Sequence, residues 1–243
     1  MFYAPDIATS LVLPEAEAQH CVRVLRKQAG ENIDITDGKG HFYTAEITDA
    51  HPKHCAVRIV ETRIQPPLWH NRVEIAIAPT KNIDRIEWFA EKATEIGIDK
   101  ITLLKTHHSE RRDVKTDRIH KILVSAMKQS QKATLPEIQG MTDFKRFVGQ
   151  PFEGQKYIAH CNEGEKPLLS TLYGEGIADQ ARNDNALILI GPEGDFSEEE
   201  VAEALKHGFQ AVSLGDSRLR TETAALYALQ TIHIVNQLSA QSH

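Results

Sequence analysis

The 243-residue chain predicts an α/β protein, with a small β-rich domain over residues 1–70 followed by a parallel sheet covered by helices over residues 71–243. Three observations predict it. Up to Gln65 the apolar runs are short, alternating and separated by a glycine-bearing turn, which is the pattern of hairpins. Gln65-Pro66-Pro67-Leu68 then stiffens the chain and can continue neither helix nor sheet, so it reads as a linker. Beyond it, strand and helix patterns alternate in long units, and such βαβ order implies parallel strands.

In the N-terminal part a helix is expected over Glu15–Leu25, then strands at Asn32–Thr36, His41–Ile47 and Cys55–Val60, with Asp37-Gly38-Lys39-Gly40 as the turn. The end of that helix gathers Arg23, Arg26 and Lys27. After the linker come strand Val73–Ala78 and helix Asp84–Ile96, whose Ile86, Phe89, Ala93 and Ile96 recur at helical spacing before the stop at Gly97. Strand Lys100–Leu104, helix Asp117–Lys132 and strand Lys156–His160 follow, with Phe144–Gly154 read as irregular and Asp179–Asn185 as a polar loop.

Ala186–Ile190 is apolar throughout, as in a strand buried on both faces, and it stops in the glycine loop Gly191-Pro192-Glu193-Gly194. Ser197 and Glu200 form a capping box for a helix that ends at Gly208. The unit repeats: Ala211–Leu214, then Gly215, then Asp216-Ser217-Arg218-Leu219-Arg220 leading to a helix that starts near Thr221 or Thr223. Two glycine loops at strand ends, each followed by a helix start, make a ligand site at the carboxyl edge of the sheet. Neither the G-x-x-x-x-G-K-[ST] nor the G-x-G-x-x-G fingerprint occurs after any of these strands, which disfavours ATP, NAD and a Rossmann-type methyltransferase site.

Composition narrows the class. There is neither an apolar run of membrane-spanning length nor a basic-then-apolar leader, so a cytoplasmic protein is expected. Cys21, Cys55 and Cys161 are odd in number and widely spaced, which suggests neither disulfides nor a zinc cluster. His107-His108 has no second ligand pair at helical spacing, and no metal is expected. The net charge of −6 conceals an asymmetry: residues 81–132 carry 12 basic and 8 acidic side chains, whereas residues 133–243 carry 8 and 16. Contact with a polyanion should therefore use the central segment and local arginines.

ILIGPEGDFSEEEV (Ile188–Val201) followed by LGDSRLRTETAA (Leu214–Ala225) resembles the C-terminal signature of the SPOUT-class RNA methyltransferases. The closest likeness is to the family that methylates N3 of a uridine in 16S, or small-subunit, ribosomal RNA. It extends to EKATEIGID (Glu91–Asp99), KQSQKATLPEI (Lys128–Ile138) and HCVRVLRKQAGENIDITDGKG (His20–Gly40), and so covers nearly the whole chain.

The resemblance implies a PUA-like RNA-binding β-barrel at the N-terminus, a C-terminal trefoil knot, a symmetric homodimer and S-adenosylmethionine as cofactor. It places the cofactor among His160, Asn162, Glu163, Ile190, Gly191, Pro192, Glu193, Gly194, Leu214, Gly215, Leu219, Arg220, Thr221, Thr223 and Ala224. RNA, as free small-subunit RNA or the assembled 30S particle, is expected at Arg23, Arg26, Lys81, Arg111, Gln129, Ser130 and Lys132, with Ser109 and Arg112 beside them. Lys132 stands where the family commonly has arginine, and a lysine lacks the planar fork. With that cofactor, Arg220 is the expected cation beside the charge that develops on the uracil ring, and Glu222 the supporting group or proton acceptor. The apolar positions Leu226, Leu229, Ile232 and Val235 are the expected subunit interface. Read without the resemblance, the residues also allow a non-catalytic RNA- or metabolite-binding module, or a nucleotide-dependent enzyme with an unorthodox glycine loop. Within the class, a different target nucleotide is the alternative.

Overall fold

The computed structural model describes residues 1–178 and 184–240. These form two compact units: Met1–Leu68 with Val124–Leu135, and Trp69–Leu123 with Pro136 onward.

In the first unit, β1 (Phe2–Tyr3), β2 (Asn32–Thr36), β3 (His41–Asp49) and β4 (Ala56–Ile64) make a four-stranded sheet in that order. The pair β1 and β2 is parallel and the other pairs are antiparallel. Alternation buries Ile33 and Ile35 from β2 and Tyr43, Ala45 and Ile47 from β3, against Phe2, Leu13, Cys21 and Cys55. The β2–β3 turn is held by the buried Asp37, whose carboxylate accepts from Lys39 N at 2.7 Å and His41 N at 3.1 Å. Gly38 there has φ +73°, and a Cβ on it would lie 2.9 Å from the Tyr3 ring.

A short helix, α1 (Ile7–Ser10), precedes α2 (Glu15–Gln19). The helix expected over Glu15–Leu25 is α-helical only to Gln19 and continues as a five-residue π-helical turn, His20–Val24. Leu25 N bonds His20 O and Lys27 N bonds Cys21 O, so the turn widens and ends at Arg26 in the left-handed region, φ 55°. Sequence periodicity does not distinguish such a turn from an α-helix over five residues.

The second unit is a six-stranded parallel sheet, β10-β8-β9-β5-β6-β7. Its strands are β5 (Val73–Ile77), β6 (Lys100–Lys105), β7 (Glu137–Asp143), β8 (Gln155–Ala159), β9 (Ala186–Ile190) and β10 (Gln210–Val212). β5 and β9 lie side by side at the centre and every residue of both is buried, as their unbroken apolar runs require. The helices are α3 (Ile83–Ile96), α4 (Thr116–Gln129), α5 (Phe144–Val148), α6 (Leu169–Ala178), α7 (Glu198–Lys206) and α8 (Thr221–Ala240). The capping box at Ser197 and Glu200 is present with both of its bonds.

Several expectations are corrected. Phe144–Gly154 is not irregular throughout: Asp143 caps α5 by accepting from Arg146 N at 3.2 Å, and Phe144, Phe147 and Val148 enter the core beside Phe196 and Phe209. Five residues are too few to show a helical period. Strand β7 was not expected, because an edge strand with one neighbour keeps a mixed, half-exposed composition. Helix α6 contains Gly174 and Gly176; the Gln155 side chain occupies the space a Cβ on Gly176 would take, so the glycine serves packing there and not a turn. Helix α4 ends at Gln129, three residues before Lys132, with Gln131 at φ 54°. Of the residues expected to supply a subunit interface, Leu229 and Ile232 lie fully in the chain's own core, because α8 packs on α3, α6, β5 and β9. The exposed apolar residues of α8 are Tyr227, Ile234 and Leu238. The polar loop expected at Asp179–Asn185 lies, over residues 179–183, outside the described residues. No helix among the described residues is long and apolar enough to cross a membrane.

Candidate active site

All six strands point the same way, so their carboxyl ends share one edge of the sheet. Register sharpens this: Ile77, Ile190, Ala159 and Val212 are partners across β5, β9, β8 and β10. The residues that follow them, Ala78, Gly191, His160 and Ser213, therefore begin their loops side by side. The chain separates His160 from Ser213 by more than fifty residues, and parallel pairing brings both beside the Gly191 loop.

That loop is held by a residue the sequence reading did not single out. Asp195 sits in the left-handed region, φ 61°, and its carboxylate accepts from Cys161 N at 2.6 Å and from its neighbour Phe196 N at 2.8 Å. Its carbonyl meets His108 Nδ1 at 3.0 Å. One residue thus ties together the loops after β9, β8 and β6. A non-glycine residue at positive φ was the available signal, and it is invisible before the backbone is known. Glu200 has a second role as well: besides closing the capping box, its buried carboxylate accepts from His107 N at 2.7 Å.

Gly191 is buried, and a Cβ on it would stand 3.2 Å from three atoms of Asp195 and Phe196, so the loop closes on itself there. A Cβ on Gly194 would come within 3.0 Å of His108. Gly215 differs: a Cβ would meet nothing within 4 Å, but φ is +100°. Its N–H donates to Ser213 Oγ at 3.1 Å, and Ser213 is joined through its backbone to Pro167 and Leu169.

His160 carries two ring nitrogens that are buried and without a hydrogen-bond partner. Burial, and secondarily the Lys166 ammonium, push its pKa below the ordinary histidine value, so the ring is neutral, with one donor and one acceptor to offer. Leaving such groups unpaired costs about 1–3 kcal/mol each, and a polar ligand at this edge would supply the partners. Burial followed by the Asp195 carboxylate pushes the Cys161 thiol up, so it is no thiolate nucleophile.

At the start of α8, Thr221 and Glu222 are buried while Arg220 and Thr223 are exposed. Glu222 does not pair with Arg220. Its Oε1 faces Arg85 Nε at 3.8 Å, and its Oε2 is buried without a partner. Arg220 makes no ion pair among the described residues, and its carbonyl accepts from Ala224 N at 2.7 Å. Ile190 at the end of β9 and Pro192 in the loop are buried, Glu193 accepts from Lys81 N at 3.2 Å, and Leu214, Leu219, Ala224 and Asn162 are half-buried. Glu163 is exposed, with no contact that draws it to the others.

The residues expected at RNA divide into two sets. In the first unit Arg23 and Arg26 are exposed and make no ion pair among the described residues, whereas Lys27 is engaged with Glu31 at 2.7 Å. Gln129 is exposed, Ser130 Oγ is spent on Ala126 O at 2.7 Å, and Lys132 is only 8% exposed. In the second unit Arg111 donates to Lys81 O at 2.8 Å, and the exposed Lys81 side chain pairs with Glu110 at 3.1 Å.

The chain is similar to known proteins over most of its length. The sequence pattern of an RNA methyltransferase domain matches residues 67–233, and that of an RNA methyltransferase PUA domain matches residues 13–60. A ribosomal RNA small subunit methyltransferase E from Synechocystis is 29% identical, with 95% of this chain and 75% of that protein covered. The crystal structure of a probable rRNA-methyltransferase from Porphyromonas gingivalis is 44% identical, with a TM-score of 0.89 and 98% of each chain covered. That of a ribosomal RNA small subunit methyltransferase E from Neisseria gonorrhoeae bound to S-adenosyl methionine is 27% identical, with a TM-score of 0.79 and coverage of 98% and 96%.

Proposed function

The chain belongs to the RNA methyltransferase family, and from that premise we infer that it methylates N3 of a uridine in small-subunit ribosomal RNA, with S-adenosylmethionine as donor. What carries this is the strand register that sets Gly191, His160 and Ser213 side by side in a chain of this family. The residues fit the cofactor: the unpaired His160 nitrogens ask for a polar ligand, and the open space beside Gly215 leaves room for one.

Bound adenosylmethionine supplies a methyl group already activated by its sulfonium. The chain's own task is then to orient the uracil and manage its N3 proton. Arg220 sets a guanidinium beside the ring oxygens, where negative charge grows as the proton leaves. Glu222 offers its carboxylate to the N3–H as acceptor. Incubation with labelled adenosylmethionine and undermodified small-subunit particles, followed by nucleoside mass spectrometry, should yield 3-methyluridine. A 2′-O-methyl or C5-methyl product would overturn the N3 assignment.

We read residues 1–70 as the RNA-binding domain and residues 71–243 as the transfer domain. Closure of β1–β4 into a PUA-like barrel is supported by the two register shifts that bend β3 against β4. A trefoil knot is supported by the insertion of β9 between β5 and β8 and by the return of α8 onto α3 and β5. Tyr227, Ile234 and Leu238 offer an apolar face for a symmetric dimer. Such an enzyme would work in the cytoplasm, where ribosomes are assembled.

Arg23 and Arg26 are proposed to dock RNA. Arg23→Ala with Arg26→Ala should leave adenosylmethionine binding intact and weaken RNA binding more at low salt than at high. Each lost phosphate contact flattens the slope of log affinity against log salt by roughly 0.7 to 0.9. An unchanged slope in titrations at several salt concentrations would return both arginines to a solvated surface.

A further inference from the structure

We propose that Arg85 is a positioning residue for the transfer reaction: its guanidinium, 3.8 Å from Glu222 Oε1, fixes the carboxylate that takes the N3 proton. The proposal rests on the role given to Glu222 above and adds a residue on a different helix, one that no sequence motif singled out.

Glu222 is 7% exposed, and an ionised carboxylate that deep needs a compensating charge. Arg85, in the first turn of α3, supplies it with Nε 3.8 Å from Oε1. The neighbouring acids do not compete, since Asp84 and Glu87 are both engaged with Arg118, at 3.9 Å and 2.7 Å. The pair is monodentate and longer than a hydrogen bond, so it leaves the carboxylate short of partners. Here one oxygen is buried and has no partner.

The approach of the two side chains is set by packing and not by loop conformation. Helices α3 and α8 lie against each other, and Ala90 and Ala93 on one and Ala225 and Ala228 on the other are fully buried. A second clamp secures their far ends: His233 Nε2 meets Gly97 O at 2.6 Å, and the Trp69 ring stacks edge-on to His233 while donating Nε1–H to Asp99 at 3.0 Å. Arg85 and Gly97 on α3 thus face Glu222 and His233 on α8 in the same order, so the helices run parallel with a fixed register. The carboxylate is thereby aimed before any substrate arrives, which is what a proton acceptor requires.

The test uses the full-length enzyme with undermodified small-subunit particles and compares Arg85→Ala, Arg85→Lys, Glu222→Gln and the double variant Arg85→Ala/Glu222→Gln. Arg85→Ala should lower kcat by roughly a hundredfold, the lower end of what a positioned proton acceptor contributes, without changing adenosylmethionine affinity measured by calorimetry. Arg85→Lys should restore much of the loss, because the charge returns. In the Glu222→Gln background Arg85→Ala should cost nothing further, since its effect passes through that carboxylate. Arg85→Met, which keeps the packing stem, serves if the alanine variant does not fold. Additive losses in the double variant, or a lower Tm with unchanged turnover, would overturn the proposal. If Glu222→Gln itself turns over normally, the role of Glu222 fails and Arg85 fails with it. If Glu222→Gln is slow and Arg85→Ala is not, only the inference about Arg85 falls.

Discussion

Replacing Arg220 with alanine should lower turnover by roughly a hundred- to a thousandfold, the loss typical of removing one preorganised charge stabiliser, with a much smaller loss of cofactor affinity. Arg220 is placed for such a role by what it does not do. It is exposed, it makes no ion pair among the described residues, and the nearby carboxylate of Glu222 faces Arg85 instead. Its backbone is nevertheless fixed, because its carbonyl accepts from Ala224 N in the first turn of α8. A guanidinium with no ion pair or side-chain hydrogen bond among the described residues can be removed at little cost in stability, so the deficit should fall on kcat. Steady-state kinetics beside a melting curve decide it: a lowered Tm with unchanged turnover per folded molecule would make Arg220 structural.

Gly191→Val should weaken adenosylmethionine binding by at least about a hundredfold, or roughly 2.7 kcal/mol, while the sheet stays folded. The reason lies in the loop's own atoms. A Cβ at Gly191 would already press on Asp195 and Phe196 at 3.2 Å, and the branches of valine extend beyond it. Asp195 is the residue that holds Cys161 and His108, so displacing it loosens three loops at once. Gly215→Val acts differently, since the space around a Cβ is open and the penalty comes from φ +100°, a conformation valine avoids. Calorimetry on folded protein separates the cases. Wild-type affinity in Gly191→Val would mean that this loop does not line the cofactor site.

Much of the fold was legible because burial writes itself into composition. Ala186–Ile190 is an unbroken apolar run since both faces of a central parallel strand are covered, and the observed strand has those same bounds. The capping box at Ser197 and Glu200 was legible because its two bonds join residues three apart. The strand β7, the helix α6 with its two glycines and the π-helical turn at His20–Val24 were not, because edge exposure, a packing glycine and a widened turn leave no period to read.

The candidate site divides along the same line. The sequence by itself determined the α/β alternation, the two glycine loops and the identity of the residues in them, since each depends on neighbours within a few positions. Only the tertiary structure decided that Asp195 joins the loops after β6, β8 and β9, that Glu222 faces Arg85 and not Arg220, that Lys132 is buried, and that Leu229 and Ile232 belong to the core and not to an outer face. The partners in these contacts lie from about thirty to well over a hundred positions apart, and the burial of Leu229 and Ile232 depends on elements as distant. Strand order and helix packing set such distances, and local residue patterns do not encode them.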